Sequence, residues 1–172
     1  MANRWIVTAL GQDKPGIVAG VTEVLYKLGC NLEDSAMTRL ESEFAIMLIF
    51  SAPPKVTETK MAQAFAPVGK KLKLAIHLKP LTAKETAVPS KGEAPFVISI
   101  YGADRAGIVF QVAQALAKAR VNITNVHTHR SAYGGPSLYA MLLEVEASAH
   151  TSEQSLTRQL APLAKKLGVE LS

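Results

Sequence analysis

The stretch Leu10-Gly11-Gln12-Asp13-Lys14-Pro15-Gly16-Ile17-Val18 returns in the second half of the chain as Tyr101-Gly102-Ala103-Asp104-Arg105-Ala106-Gly107-Ile108-Val109. A chain that writes one turn twice folds as two copies of one module. The fold to be explained is therefore that of about 80 residues, not of the whole chain. Each copy follows a short apolar run and precedes residues at helical spacing, which predicts a strand, a tight turn and a helix start. Asp13 and Asp104 are placed to cap the first helical amides.

In the first copy, Trp5 to Leu10 is apolar and rich in strand formers. From Pro15, the residues Ile17, Val21, Leu25 and Leu28 follow helical spacing, Val18 and Val24 widen the stripe, and Gly29 supplies the stop. Asn31 to Arg39 reads as an extended segment, Glu41-Ser42-Glu43 as a hairpin turn, and Phe44 to Phe50 as a strongly apolar strand closed by Pro53 and Pro54. Thr57 opens a second helix carrying Met61, Phe65 and Val68, and Leu72 to Leu78 forms the last strand. Two helices can cover only one face of a four-stranded sheet. The expected class is thus α+β: two ferredoxin-like βαββαβ modules, each an antiparallel four-stranded sheet with its helices on one face.

The first module spans 1–80 and the second 96–172. Residues 81–95 mix Thr, Ala, Lys, Glu, Pro, Ser and Gly without apolar periodicity and read as a linker. In the second copy Ile108, Val112, Leu116 and Ala119 repeat the helical stripe, Asn122-Ile123 repeats Asn31-Leu32, and Arg130 matches Arg39. Ala161-Pro162-x-x-Lys165-Lys166-Leu167 repeats Ala66-Pro67-x-x-Lys70-Lys71-Leu72, so a kink or early 3₁₀ turn is expected at both prolines. Leu156, Leu160, Leu163 and Leu167 form a buried stripe behind a possible capping box at Thr151-x-x-Gln154. Ser131 to Ser137 makes a longer hairpin than its counterpart.

Several function classes fall away. The net charge of +5 is carried by lysines scattered from Lys70 to Lys166 rather than focused in one run, which describes a solvated surface and no direct nucleic-acid contact. Phe44 and Phe50 lie in an aliphatic run without the aromatic pattern of an RNA-recognition sheet. No apolar run approaches the roughly 20 residues that span a bilayer, and the opening residues lack a signal-peptide pattern, so a cytoplasmic protein without a membrane partner is expected. Cys30 stands alone and is replaced by Val121 in the second copy, as a small buried hydrophobe would be.

Gly11-x-x-x-x-Gly16 lacks the Lys-Ser/Thr continuation of a nucleotide loop. His127 and His129 share a strand face without an identifiable third ligand, so no metal is expected. Glu33 and Asp34 are adjacent and point to opposite faces, and no nucleophile, base and orienter set is found. An acylphosphatase-like hydrolase on the same fold would need a loop arginine, yet Arg105 is matched only by Lys14. The expectation is a protein that is not an enzyme, with no catalytic residues and no cofactor.

What remains is the turn itself. Asp13, Lys14, Pro15, Gly16 and Ile17, repeated as Asp104, Arg105, Gly107 and Ile108, lead into helix amides free to receive a small anion such as a carboxylate. Asn31 and Asn122 lie where the first helix hands over to the second strand, an end expected to approach the turn. An amide side chain that donates and accepts at once suits a zwitterionic amino acid. Two other readings stay open: the Asp and Gly residues only shape the turn, and the asparagines are turn residues tolerating left-handed geometry.

The doubled D-x-x-G-I-V turn, each followed by a helix and an Asn-Leu or Asn-Ile pair, resembles tandem ACT domains. The first half goes further. Ala9-Leu10-Gly11-x-Asp13-x-Pro15-Gly16-Ile17-Val18, Gly29-Cys30-Asn31-Leu32-Glu33-Asp34-Ser35 and Glu43-Phe44 with Met47-Leu48 resemble the glycine cleavage system transcriptional repressor family. The resemblance implies a non-enzymatic regulator that senses glycine or a related amino acid and contacts a DNA-binding transcription activator. It implies ligand loops at Asp13 to Ile17 and Asp104 to Ile108 with Asn31 and Asn122 across from them. It also implies side-by-side pairing of modules with effectors in the seam, either between the two copies of one chain or across a homodimer, and a homo-oligomer is expected. The alternative is a ligand-free interaction module on the same fold.

Overall fold

The computed structural model describes residues 3–82, 93–131 and 138–172, which divide into two compact units. The first unit runs β1 (Asn3–Gln12), α1 (Ile17–Lys27), β2 (Asn31–Leu40), β3 (Glu43–Ala52), α2 (Glu58–Leu72) and β4 (Ala75–Pro80). The second repeats it as β5 (Glu93–Ala103), α3 (Ile108–Lys118), β6 (Asn122–Ser131), β7 (Leu138–Ser148), α4 (Glu153–Leu167) and β8 (Val169–Leu171). Both sheets are antiparallel, ordered β2-β3-β1-β4 and β6-β7-β5-β8. This is the expected α+β ferredoxin-like arrangement.

Alternation along the central strands decides which face is buried. In the first unit Trp5, Val7 and Ala9 of β1 lie across from Phe50, Leu48 and Ile46 of β3, and all six are buried. They meet Ile17, Val21, Val24 and Leu25 of α1 and Met61 and Phe65 of α2. The second unit builds the same core from Ile98, Ile100, Met141, Leu143 and Val145 under Ile108, Val112, Leu116, Leu156, Leu160 and Leu167. β2, at the sheet's edge, buries none of its residues.

Gly11 and Gly102 are needed because a helix-to-strand connection crosses them. A Cβ on Gly11 would sit 2.8 Å from the Lys73 carbonyl oxygen, and one on Gly102 would sit 2.7 Å from Val169 Cγ1.

Four local expectations are corrected. The last strand of the first unit begins at Ala75, not Leu72. The helix runs through Leu72, and Lys73, left-handed at φ 53°, closes it as the Leu74 amide bonds to the Gly69 carbonyl at 2.8 Å. Both second helices remain α-helical through Pro67 and Pro162, with no 3₁₀ turn, because each proline forfeits a single amide bond late in a 15-residue helix. The cap of α4 is Ser152, whose hydroxyl accepts from the Ser155 amide at 3.2 Å. Thr151 instead pairs with the Ser148 hydroxyl at 3.1 Å. Finally, β5 starts at Glu93, inside the stretch read as linker, because Glu93, Ala94 and Pro95 already pair with Ser148, Ala147 and Glu146. Residues 83–92 of that stretch, and 132–137 of the longer hairpin, lie outside the described residues.

Candidate functional site

Each turn carries the chain from the end of a central strand into a helix, and glycine makes the change of direction. Gly16 has φ 95° and Gly107 φ 88°, left-handed values that L side chains adopt only with strain. Both glycines are helix N-caps without a side chain bonded to the amides behind them. The first intrahelical bonds are Gly20 N–H to Gly16 O at 2.8 Å and Gln111 N–H to Gly107 O at 3.0 Å. The amides at Ile17 and Val18, and at Ile108 and Val109, precede those bonds and have no partner within the helix.

Asp13 and Asp104 are therefore not the caps expected of them. Asp13 lies 3.7 Å from Arg39 Nη1, and Asp104 accepts from Arg130 Nη1 at 3.3 Å, so each aspartate turns towards the end of the second strand. The Asp13 amide also donates to the Ser42 carbonyl at 2.7 Å. The turn is tied to the neighbouring hairpin from both its backbone and its side chain. The repeated Arg39 and Arg130 were the sequence signal for this pairing.

In the first unit the turn opens on a pocket of about 580 Å³ lined by Asp13 to Ala19 and by Phe44. A Cβ on Gly16 would find nothing within 4 Å among the described residues beyond its chain neighbours. Phe44 reaches the site because it pairs with Gly11 across the sheet. Phe44 also packs against the first core, and only the register of the hairpin brings it beside the turn. In the second unit Tyr139 takes the same place opposite Gly102. Burial, opposed by the Thr128 hydrogen bond and supported by the charge of Asp104, leaves the Tyr139 hydroxyl pKa above the usual phenol value.

Asn31 and Asn122 are not brought to their own turns. Asn31 pairs with Ser51 and Ser51 with Arg4, whereas the turn follows Gln12 at the other end of β1. The eight residue steps from Asn31 to Arg39 at about 3.3 Å each place the asparagine roughly 25 Å from the Asp13 side of the sheet. Asn122, opposite Glu146, is separated from Arg130 and its turn in the same way. The reason is elementary: α1 and α3 carry the chain away from the turn before the asparagine is reached.

Elsewhere, His127 and His129 lie opposite Leu142 and Ala140 on the sheet face away from the helices, and His127 Nε2 is 3.2 Å from Asn125 Nδ2. Among the described residues no group of three or more His, Cys, Asp or Glu side chains could hold a metal ion, and no helix is long and apolar enough to cross a membrane. Cys30 is half-buried against the first core, and burial raises its thiol pKa.

The two units form a tandem of small α+β modules, each presenting an uncapped helix start beside a left-handed glycine. A model of the ACT domain matches residues 3–79 and another matches residues 96–156. The chain belongs to the ACT-domain family and carries two ACT domains in tandem. Among its relatives, a UPF0237 protein of Streptococcus pneumoniae is 35% identical over 74 residues, covering 43% of this chain and 84% of that protein. The glycine cleavage system transcriptional repressor of Escherichia coli is 35% identical over 79 residues, covering 46% of this chain and 41% of the repressor. A solved structure of an unknown protein from Galdieria sulphuraria matches 100% of this chain and 97% of its own at 22% identity and a TM-score of 0.80, a likeness of fold.

Proposed function

We propose that this protein is a non-enzymatic regulator that binds a small, glycine-like amino acid at its ACT turns and thereby modulates a partner transcription regulator. The observation that carries this reading is the bend at Gly16, where unpartnered helix amides and an unobstructed pocket of about 580 Å³ coincide. Amides at a helix start suit the carboxylate of the ligand. The kinship with the Escherichia coli repressor supplies the regulatory context.

The ligand is held at Asp13, Lys14, Pro15, Gly16 and Ile17, and in the second module at Asp104, Arg105, Gly107 and Ile108. Asn31 or Asn122 joins such a site only from another module, either the other one of the same chain or one in a second copy, since within its own module it stands at the far end of the sheet. That requirement ties the asparagines' role to the pairing of modules, within the chain or in a homo-oligomer. Glycine has about five heavy atoms, so a ceiling of roughly 1.5 kcal/mol per atom caps its binding near 7.5 kcal/mol, between millimolar and micromolar affinity. Calorimetric titration of the full chain with each common amino acid tests the reading. Heat is expected for one small amino acid, and silence from all of them at millimolar concentration would overturn it.

A further inference from the structure

The backbone of the two bends is alike, but the side chains around them are not. Aligning Gly16 with Gly107 sets Gly20 on Gln111, Val21 on Val112 and Leu25 on Leu116. A Cβ on Gly20 would stand 2.9 Å from Leu72 Cδ1 and 3.5 Å from Val68 Cγ1, so the approach of α2 holds this position to a residue without a side chain. Its counterpart in α3 is a glutamine. A helical side chain leans back over the residue four places before it. Gln111 does so, and its Nε2 lies 3.6 Å from where a Cβ on Gly107 would stand. At Gly16 that place holds nothing within 4 Å among the described residues beyond the chain neighbours.

A second difference lies at the end of the following helix. Nη2, Nη1 and Cζ of Arg105 stand 3.8, 3.9 and 4.0 Å from where a Cβ on Gly168 would be, so the guanidinium rests on the left-handed cap of α4. The last carbonyls of a helix attract a cation. In the first module the corresponding cap is Lys73, which brings a side chain and a charge of its own to the end of α2. An anion at the Gly107 bend therefore shares Arg105 with α4 and meets Gln111 before it meets the amides of Ile108 and Val109.

We propose that Gln111 makes the two bends unequal, so that a small amino acid fills the Gly16 bend first and the Gly107 bend only at higher concentration. The inference rests on the amino-acid reading of the bends and adds to it an order of filling and the residue that sets it. A carboxylate reaches the Ile108 and Val109 amides when the Gln111 carboxamide has swung aside, and the apparent affinity falls by the fraction of molecules in that arrangement. If that fraction is roughly a tenth, the second midpoint lies about tenfold above the first. Gly20 has no side chain to displace, so the first bend bears no such cost. The protein then responds in two steps over a range of ligand concentration instead of saturating in one.

The experiment titrates the full chain, isotope-labelled, with glycine and follows the amide resonances of Ile17 and Val18 against those of Ile108 and Val109. The first pair is expected to move with a midpoint about tenfold below that of the second. Gln111→Ala keeps a strong helix former in α3 and is expected to bring the second midpoint to within about twofold of the first. Gln111→Glu sets a carboxylate beside the same amides and is expected to move the second midpoint the other way. The Gly16 bend is the internal reference, its midpoint unchanged in both variants. A single midpoint for both bends of the parent, a second midpoint that Gln111→Ala leaves in place, or shifts of the same sign in the two variants would overturn this inference and leave the amino-acid reading standing. Silence at both bends would overturn glycine as the ligand and the order of filling with it.

Discussion

Replacing Gly16 with alanine isolates backbone conformation from packing. A Cβ there meets nothing within 4 Å, so the substitution introduces no clash and leaves only the cost of holding an L side chain at φ 95°. That cost is about 1–2 kcal/mol. For a domain of this size each kcal/mol lowers Tm by about 4–8 °C, so the first module is expected to melt about 4–16 °C earlier. The assay is specific to that module because Trp5, the chain's single tryptophan, is buried in its β1 at 5% exposure. Thermal unfolding followed by Trp5 fluorescence should report the shift. Gly16→Asn should recover part of it, since asparagine tolerates left-handed backbone better than alanine. An alanine variant that melts with the parent, or an asparagine variant no better than alanine, would refute the argument.

Ser152→Ala should destabilise the second module by about 1 kcal/mol through loss of the α4 cap, while Thr151→Ala should cost appreciably less; helical circular dichroism on melting distinguishes them. Cys30, its pKa raised by burial, should react with a thiol reagent more slowly in the native protein than after unfolding. The same shift means the folded state keeps its proton longer. Its contribution to stability is therefore full below the unfolded thiol pKa and declines as pH rises through the folded one, a trend that denaturant titrations against pH would show. Arg39→Ala should cost less than about 1 kcal/mol, because the Arg39–Asp13 pair is 3.7 Å long and the arginine is 68% exposed; added salt should erase the difference.

The duplication, the order of elements and most of the core were legible in the chain because each is a local or periodic property. Val21 and Leu25, or Val112 and Leu116, announce a buried helix face whatever they pack against. The same holds for the glycine turn, whose positive φ is a demand of the residues themselves. What a side chain faces across the sheet is different. Asp13 reads as a cap until Arg39 is found beside it, and Asn31 reads as a neighbour of the turn until strand direction puts it at the other end.

The sequence by itself determined two βαββαβ modules, their apolar interiors and the paired bends at Gly16 and Gly107. Only the tertiary structure decided that Asp13 and Asp104 hold arginines and that Phe44 and Tyr139 flank the bends. Spacing along a chain records periodicity, whereas partners across a sheet depend on strand direction and register, and those are set by contacts between residues far apart in sequence.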